Sequence, residues 1–343
     1  MPERRLPVGK VPADLLAEFL GRVSLDDSVF LGPGIGRDAA VVRIGEQLVA
    51  LKSDPITFAT DAIGWYALNV NANDIACLGA IPRWFLATVL LPETATAELA
   101  WQVLDDIARA ASHLGITLVG GHTEITAQLD RPIVSGAMVG IFDRDHVLRP
   151  ELARPGDAIL LVRGIAIEGT ALLARECART LEPMLGSELL ARCQTFLTDP
   201  GISVLGPARL LYETLGPALR YLHDPTEGGL ATGLHELATA CGTGLRVQQR
   251  AITVYPETEA VCRALGLDPL GLIASGALLA IVAPDAVERA LAILAAAGIS
   301  ATQLGWLETD PDCRVLVTEQ GERPLPTFAV DEVARLFAEG GCS

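Results

Sequence analysis

The sequence predicts a two-domain protein of the α/β or α+β class. At 343 residues, the chain is longer than one hydrophobic core usually serves. Both halves alternate short apolar runs, which are typical of strands, with longer stretches of helical periodicity. Half of the residues are hydrophobic and only 20% are charged, a composition far from that of disordered proteins. We therefore expect two layered domains, each with its own core.

The first half of the chain begins with a short amphipathic segment. Residues 1–34 hold apolar positions at helical spacing, including Leu15 and Phe19, followed by a Gly/Pro linker. The later elements of this half are predicted as strands at 39–44 and 46–54 with a turn between them, a helix within 62–82, a strand at 84–92, a helix at 96–115, and strands at 116–121 and 131–142.

The second half begins after a boundary that we place at 145–155, where a Pro-Gly-Asp turn leads into an apolar strand. Its further elements are predicted as helices near 168–180, 186–197, 204–215, 227–241 and 285–298, and as strands at 278–284 and 313–319. Residues 321–343 predict an appended amphipathic helix and a flexible tail that contains Cys342. We therefore expect four parts, namely 1–34, 35–148, 149–320 and 321–343.

Charge and hydropathy exclude two classes of partner. Basic residues number 26 and acidic residues 42, so the formal net charge is −16, and the basic residues are too scattered for a nucleic-acid surface. Mean hydropathy is +0.38, yet every apolar run is interrupted well before the roughly 20 residues that a membrane-spanning helix needs. The first residues lack the apolar region of a secretory signal. We expect a soluble, cytoplasmic protein.

The seven cysteines are widely spaced, and none forms a Cys-x-x-Cys pair. This spacing favours neither a disulfide framework nor a zinc site, and it predicts that most cysteines are small core residues. Gly340 and Gly341 predict a mobile Cys342 at the end of the chain.

Three acidic positions and a group of asparagines suggest a metal site. Asp38 and Asp54 adjoin predicted strands, and Asp74 lies three residues after Asn71 on a predicted helix, so those two side chains share a face. Asn69 and Asn73 form a neighbouring pair on the same helix. Such polar groups are costly to bury without partners, and carboxylates without a matching basic cluster suit a hard cation such as Mg²⁺ bound to a phosphate. The alternative is that Asp38 and Asp54 are ordinary turn residues.

The segment LVGGHTEIT, residues 118–126, predicts a buried strand that ends at a Gly-Gly turn. Glycines at such a position let backbone amides approach a phosphate closely. The turn would present His122, Thr123 and Glu124 together. Glu124 is a candidate Mg²⁺ ligand or base, and His122 is a candidate proton carrier, hydrogen-bond donor or purely structural histidine.

A further polar cluster lies at 223–229, where His223, Asp224, Thr226 and Glu227 precede two glycines and a helical pattern. Thr226 is a candidate N-cap, and the first amides of the helix would then form an anion site. The alternative is a capped helix that binds nothing.

Taken together, DAAVV, SDPITF, NANDIACLGAIPRW, GGHTEIT, HDPTEGGL with HELATACG, and IASGALL resemble the AIR synthetase (PurM-like) superfamily in order and spacing. The resemblance covers about 35–325. It implies a homodimer in which N-terminal mixed sheets close a shared barrel, and a C-terminal α/β sandwich. It also implies an enzyme that binds ATP with Mg²⁺ and transfers a phosphoryl group to an oxygen of a small-molecule substrate.

The resemblance also assigns residues. Asp38, Asp54 and Asp74 fall on the Mg²⁺-binding acidic positions, and Asp224 falls on the acidic residue of the second-domain motif. His122, Glu124, Asp224 and Glu227 would then face the substrate. The remaining candidate cofactor contacts are Asn71, Asn73, Gly120, Gly121 and Thr123.

Within this superfamily, the segments are most similar to those of the hydrogenase-maturation protein HypE. HypE dehydrates a carbamoyl group on its own C-terminal cysteine with ATP, which implies a partner protein and, here, Cys342 as acceptor. Glu124 replaces a catalytic lysine of HypE and Ser275 replaces a catalytic glutamate, and this chain continues past its Leu-Pro pair at 325–326 through a further helix to Cys342 and Ser343, where HypE ends sooner. Arg37 stands where members of the superfamily often carry one of two acids. The sequence therefore leaves three functions open: an ATP-using enzyme on another substrate, the HypE reaction itself, or a scaffold that has lost the chemistry.

Overall fold

The computed structural model describes residues 6, 9–144 and 146–342 and divides the chain into two compact units. The larger unit comprises the described residues of 1–24, 33–37 and 148–343, and the smaller unit comprises 25–32 and 38–147. The described residues before position 25 and the linker at 33–37 thus belong to the same unit as the second half of the sequence. No helix in the described part of the chain is both long enough and apolar enough to cross a membrane.

The smaller unit is a mixed six-stranded sheet with two helices. Its strands are β1 (Val29–Leu31), β2 (Ala40–Ile44), β3 (Gln47–Ile56), β4 (Ile81–Pro92), β5 (Thr117–Thr126) and β6 (Ile133–Ile141), and its helices are α2 (Ile63–Cys77) and α3 (Ala97–Leu114). The strand order is β1-β2-β3-β6-β4-β5, in which only the β4–β5 pair is parallel. Helix α2 packs on β3 and β6 and is almost entirely buried.

The sheet of the smaller unit is open within the single chain. Strands β1 and β5 form its two edges, and no closed sheet is present among the described residues. The barrel expected from the resemblance is therefore not formed by one copy of this chain.

The predicted Gly-Gly turn is wrong, because β5 continues through both glycines to Thr126. The pairing with β4 shifts by one residue between Leu118 and Gly120, which is a β-bulge. Gly121 has a φ of +152°, and a Cβ added there would lie 1.9 Å from the carbonyl oxygen of Ala87. The close approach that requires this glycine is thus made by the neighbouring strand.

Asp54 is also not a turn residue, since it lies inside β3. The following Pro55 fits in a strand because β2 pairs with β3 only as far as Leu51, whereas β6 pairs on the other side as far as Ile56.

The larger unit is a mixed seven-stranded sheet covered by helices. Its strands are β7 (Ala158–Val162), β8 (Leu219–His223), β9 (Gly244–Gln248), β10 (Leu278–Val282), β11 (Ala301–Glu308), β12 (Arg314–Thr318) and β13 (Gly321–Pro324), in the order β13-β12-β9-β11-β7-β10-β8. Its helices are α1 (Ala13–Leu20), α4 (Ile167–Glu176), α5 (Ala178–Leu185), α6 (Ser187–Thr195), α7 (Leu205–Leu215), α8 (Gly229–Cys241), α9 (Pro256–Leu265), α10 (Val287–Ala296) and α11 (Glu332–Ala338). Every residue of β7 and β10 is buried, so these strands form the centre of the core.

The C-terminal segment is packed against the larger unit instead of forming a flexible appendage. On α11, Val333 is fully buried and Leu336 is nearly so. Gly340 has a φ of +74°, and the amides of Gly340 and Gly341 donate to carbonyls of α11, which folds the last residues back along the helix.

This turn brings Cys342 to Cys177, with which it forms a disulfide at a Cα–Cα distance of 5.0 Å. The expectations of a mobile Cys342 and of no disulfide are therefore both wrong. Cysteine spacing could not reveal the bond, because 165 positions of sequence separate the partners.

Candidate functional site

The centre of the smaller unit holds a lysine between two aspartates. The Nζ atom of Lys52 lies 2.9 Å from Oδ2 of Asp74 and 3.2 Å from Oδ2 of Asp54. Lys52 and Asp54 are two residues apart on β3, so both point to the same face of the sheet. Helix α2 packs on that face and provides Asp74. Strand and helix together therefore build a compact charged cluster.

The asparagines of α2 add polar atoms to this region. The side-chain amide of Asn71 donates to the carbonyls of Asp54, at 3.2 Å, and Ala67, at 2.9 Å. The Oδ1 atoms of Asn71 and Asn69 are buried and accept no hydrogen bond from any residue that the structure describes. Asn73 is fully buried. Buried acceptors of this kind are normally satisfied, so α2 offers oxygen atoms for a bound group.

The members of the cluster shift one another's pKa values. Burial raises the pKa of Asp74; the ammonium of Lys52 opposes this shift, and Asp38 and Asp54 reinforce it. Burial by itself would lower the pKa of Lys52, but Asp74 and Asp54 outweigh it and raise that pKa. Three carboxylates face one ammonium, and the donor set consists of oxygens. Such a set fits a hard cation such as Mg²⁺.

The structure does not bring His122 and Glu124 to this cluster. Residues that pair across neighbouring strands form rows across the sheet. One row crosses four strands and contains Asp54, Gly136, Ala87 and Gly121, whereas His122 lies in the next row. Because neighbouring rows point to opposite faces, His122 and Glu124 lie on the face away from Asp54. Thr123 shares the face of Asp54, but three strand spacings, about 14 Å, separate their strands.

His122 and Glu124 instead form their own pair on the exposed strand β5. The imidazole Nε2 and the carboxylate are hydrogen-bonded at 3.0 Å, and the Thr126 hydroxyl donates to the same carboxylate at 2.9 Å. The hydrogen bonds from His122 and Thr126 hold the pKa of Glu124 below its usual value. The pair is a polar patch on the outer face of an edge strand.

In the larger unit, the prediction that Thr226 is the N-cap of the helix is wrong. Helix α8 begins at Gly229, and its N-cap is Gly228, without a side-chain cap. The first amides already have partners: Gly228 N donates to the Asp331 carboxylate, Gly229 N to the Thr226 carbonyl, and Ala231 N to the Leu270 carbonyl. These three amides are therefore not available to an anion.

The same loop carries a network around Lys10. Its ammonium lies 3.1 Å from the Thr226 hydroxyl and 3.4 Å from carboxylate oxygens of both Glu227 and Glu236. His223 lies 3.4 Å from Glu236. Burial would raise the pKa of Glu236, but Lys10 and His223 outweigh it and lower that pKa to about 2. Asp224, also predicted as a site residue, is buried beside this network.

Two buried carboxyl groups nearby were not predicted as site residues. Burial raises the pKa of Glu168 to about 8, a shift that Ser275 opposes and that Glu227 and Asp331 reinforce. Burial likewise raises the pKa of Asp331 to about 7, against the hydrogen bonds that its carboxylate accepts from Gly228 N and Val333 N. Glu168 lies in the first turn of α4, where its amide donates to the carbonyl of Ser275.

Lys52 was also missed, although the sequence contains a signal for it. A lysine two positions before an aspartate on a predicted strand must share that aspartate's face. Glu168 and Asp331 have no comparable signal, because their neighbours come from distant parts of the chain.

Two α/β units built on mixed sheets, with buried carboxylates gathered against a helix, define a protein of the AIR synthase-like (PurM-like) class. The chain belongs to the AIR synthase related protein family: the N-terminal domain model matches residues 36–142 and the C-terminal domain model matches 154–318.

Similar proteins come from hydrogenase maturation. Carbamoyl dehydratase HypE of Rhizobium leguminosarum bv. viciae is 30% identical over 305 residues, which is 88% of this chain and 82% of that protein. A crystal structure of the hydrogenase maturation protein HypE in complex with ATP has a TM-score of 0.69 at 25% identity, covering 91% of this chain and 89% of that one. A HypE–HypF complex has a TM-score of 0.69 at 23% identity, covering 86% of this chain and 94% of that one.

Proposed function

We propose that this chain is an ATP-dependent enzyme of the AIR synthase type, and that it activates a carbonyl or carbamoyl oxygen by phosphoryl transfer. The cluster of Lys52, Asp54 and Asp74 is the observation that carries the proposal, and Asp38 is close enough to raise the pKa values of Lys52 and Asp74. Asp38, Asp54 and Asp74 would hold Mg²⁺, which would neutralise phosphate charge when bound. The HypE structure that contains ATP supports the nucleotide.

The other proposed cofactor contacts lie on α2 and β5. The buried Oδ1 of Asn71 has no hydrogen-bond partner among the described residues, and Asn73 lies on the same helix. The Ala87 carbonyl takes the space beside Gly121, whereas an added Cβ at Gly120 would meet nothing within 4 Å, so of the two glycines Gly120 remains the proposed nucleotide contact, away from the terminal phosphate. Thr123 lies on the same face of the sheet as Asp54.

Calorimetry with ATP, with and without Mg²⁺, tests the nucleotide site. We expect Mg²⁺-dependent binding in the native protein and a loss of about tenfold or more in Asp54→Asn and Asp74→Asn. Asp105→Asn, an exposed change on α3, is the matched control. Absence of ATP binding by the folded native protein would contradict the proposal and favour a scaffold that has lost the chemistry.

For the substrate, we propose a carbamoyl group on Cys342, as in the HypE reaction. The 30% identity to carbamoyl dehydratase HypE over most of both chains favours this choice. The carbamoyl oxygen would attack the γ-phosphorus and ADP would leave. The nitrogen would then lose its two protons and the carbon would lose phosphate, which leaves a thiocyanate on the sulfur. Asp224 and Glu227 remain the proposed substrate-facing residues, whereas the position of His122 and Glu124 on the face away from Asp54 argues against that role for them.

This reaction requires a reduced Cys342, whereas the structure has Cys342 bonded to Cys177. A dithiol reductant would convert the disulfide to two thiols and itself become a disulfide. A partner protein would then deliver the carbamoyl group.

Mass spectrometry of the C-terminal peptide tests the acceptor after incubation with ATP and a reconstituted carbamoyl donor protein. The modification should appear in the native protein only after reduction and in Cys177→Ser without reduction. Cys342→Ala is the negative control. An unmodified peptide in reduced native protein and in Cys177→Ser would exclude the HypE reaction, while the ATP-binding result would stand separately.

We also propose that the chain is a homodimer that pairs through β5. This edge strand is exposed along nearly its whole length, including the apolar residues Leu118, Val119 and Ile125. Unpaired backbone beside exposed apolar side chains favours association with another strand.

A further inference from the structure

We infer that Lys52 is the residue by which this protein distinguishes ATP from ADP, because its ammonium contacts the terminal phosphate of ATP. The inference rests on the proposed nucleotide site and names a contact within it. It concerns a side chain that the acidic motifs of the sequence did not include.

The first argument is the hydrogen-bonding capacity of Lys52. An ammonium has three donors. Asp74 at 2.9 Å and Asp54 at 3.2 Å account for two of them, and the described residues provide no third acceptor. The side chain is 20% exposed, so one donor remains accessible to a ligand oxygen.

The second argument is the arrangement of charge. The aspartates that hold Lys52 are the same ones proposed to hold Mg²⁺, so the ammonium and the metal would meet the same phosphate group. Held by two carboxylates, the flexible lysine side chain is fixed before the nucleotide arrives, which lowers the entropy cost of the contact. A lysine acts on phosphate as a point charge.

The third argument is how deeply the members of the cluster are buried. Asp74 is only 5% exposed, whereas Asp54 is 30% exposed, so the cluster opens to solvent on the Asp54 side. The terminal phosphate is the narrow end of ATP and can reach furthest into such a site, while the base and ribose are larger. ADP lacks this group and would leave the third donor of Lys52 without a nucleotide partner.

The test compares the affinities of two ligands, Mg²⁺ with ADP and Mg²⁺ with the non-hydrolysable β,γ-methylene analogue of ATP, by calorimetry. In Lys52→Met we expect the analogue to lose about tenfold to a hundredfold in affinity, as for a charge-assisted hydrogen bond, and ADP to change by less than about threefold. Arg109→Met, an exposed cation of the same unit, should leave the ratio of the two affinities unchanged.

Lys52→Met leaves two aspartates without their counter-ion and can unfold the smaller unit. Circular dichroism identifies that case. The comparison is then made between the single variant Asp74→Asn and the double variant that carries both Asp74→Asn and Lys52→Met. Both variants lack the buried ion pair between Lys52 and Asp74. The added lysine substitution should still lower the preference for the ATP analogue over ADP.

Equal losses for both nucleotides, or an unchanged ratio in both comparisons, would overturn the role of Lys52 while leaving the nucleotide site intact. If the folded native protein binds neither nucleotide, the proposed function itself fails. The two failures are therefore distinguishable.

Discussion

At the residue scale, the charged side chains that matter most are buried ones with carboxylate neighbours. Lys52 lies between Asp54 and Asp74, and the buried Asp331 is close enough to the buried Glu168 to raise its pKa. The sequence predicted Asp54 and Asp74, because acids beside strand and helix patterns are local features. It could not predict which charges would be buried together, since burial depends on contacts between distant segments.

The glycines of β5 allow a matched test of close packing. Gly121→Ala should destabilise the protein by roughly 1–3 kcal/mol more than Gly120→Ala, because only the former places a Cβ against the Ala87 carbonyl. Both glycines have positive φ, so backbone strain is similar in the two variants. Urea unfolding measures the difference, and equal destabilisation would show that the contact with β4 does not explain Gly121.

The raised pKa of Glu168 predicts a pH dependence of stability. The folded protein holds a proton on this carboxyl up to about pH 8, whereas the ordinary value is 4.5. Its stabilising contribution is therefore complete below about pH 4.5 and is lost as the pH rises toward 8. Glu168→Gln cannot ionise, so it should match the native protein near pH 5 and exceed it in free energy of unfolding by roughly 2–5 kcal/mol at pH 9.

Chemical denaturation at several pH values measures this difference. Glu188→Gln, on the exposed face of α6, is the control and should follow the native curve. If the free energy of unfolding changes with pH in the same way for the native protein and for Glu168→Gln, Glu168 is not protonated in the folded protein.

At the element scale, β5 and α11 differ most from their predictions. The apolar patterns predict both elements. They predict, however, a strand that ends at the two glycines and a helix that is only appended to the second domain. The bulge against β4 extends β5 through the glycines, and burial of Val333 attaches α11 to the larger unit. Each difference comes from a packing partner that local sequence does not contain.

Asp331 links α11 to the loop before α8. Its two carboxylate oxygens accept from Val333 N and Gly228 N, each at 2.7 Å. Asp331→Ala removes the helix cap and leaves a buried amide without its acceptor, so we expect a loss of roughly 1–4 kcal/mol. Asp310→Ala removes a similar hydrogen bond at an exposed turn and should cost much less. Thermal unfolding of both variants checks the prediction, and similar melting temperatures would contradict it.

At the scale of the whole molecule, the chain forms two units, and the smaller one has an open sheet with an exposed edge. The proposed homodimer would cover that edge. The disulfide between Cys177 and Cys342 acts at the same scale, because it ties the end of the chain to the start of the helical layer of the larger unit.

Ile125→Glu tests the dimer, since Ile125 is 58% exposed on β5. A charge at an interface that buries this residue should weaken association by about tenfold or more. Ile44→Glu is the control, because Ile44 is 65% exposed on β2, away from the β5 edge. Sedimentation over a range of concentrations measures the dissociation constant. A monomeric native protein, or equal effects of the two changes, would contradict pairing through β5.

The sequence by itself determined the fold class, most central strands and helices, and the acids Asp54 and Asp74, because periodicity and motif spacing are local properties. The sequence does not predict strands β1, β8, β9, β11 and β13 or helices α5 and α9, and only the tertiary structure shows them. Tertiary structure alone placed His122 and Glu124 on the face away from Asp54, gave the Gly228 amide an acceptor in Asp331, and joined Cys342 to Cys177. These outcomes depend on strand register and on contacts between segments far apart in the chain, which no local pattern specifies.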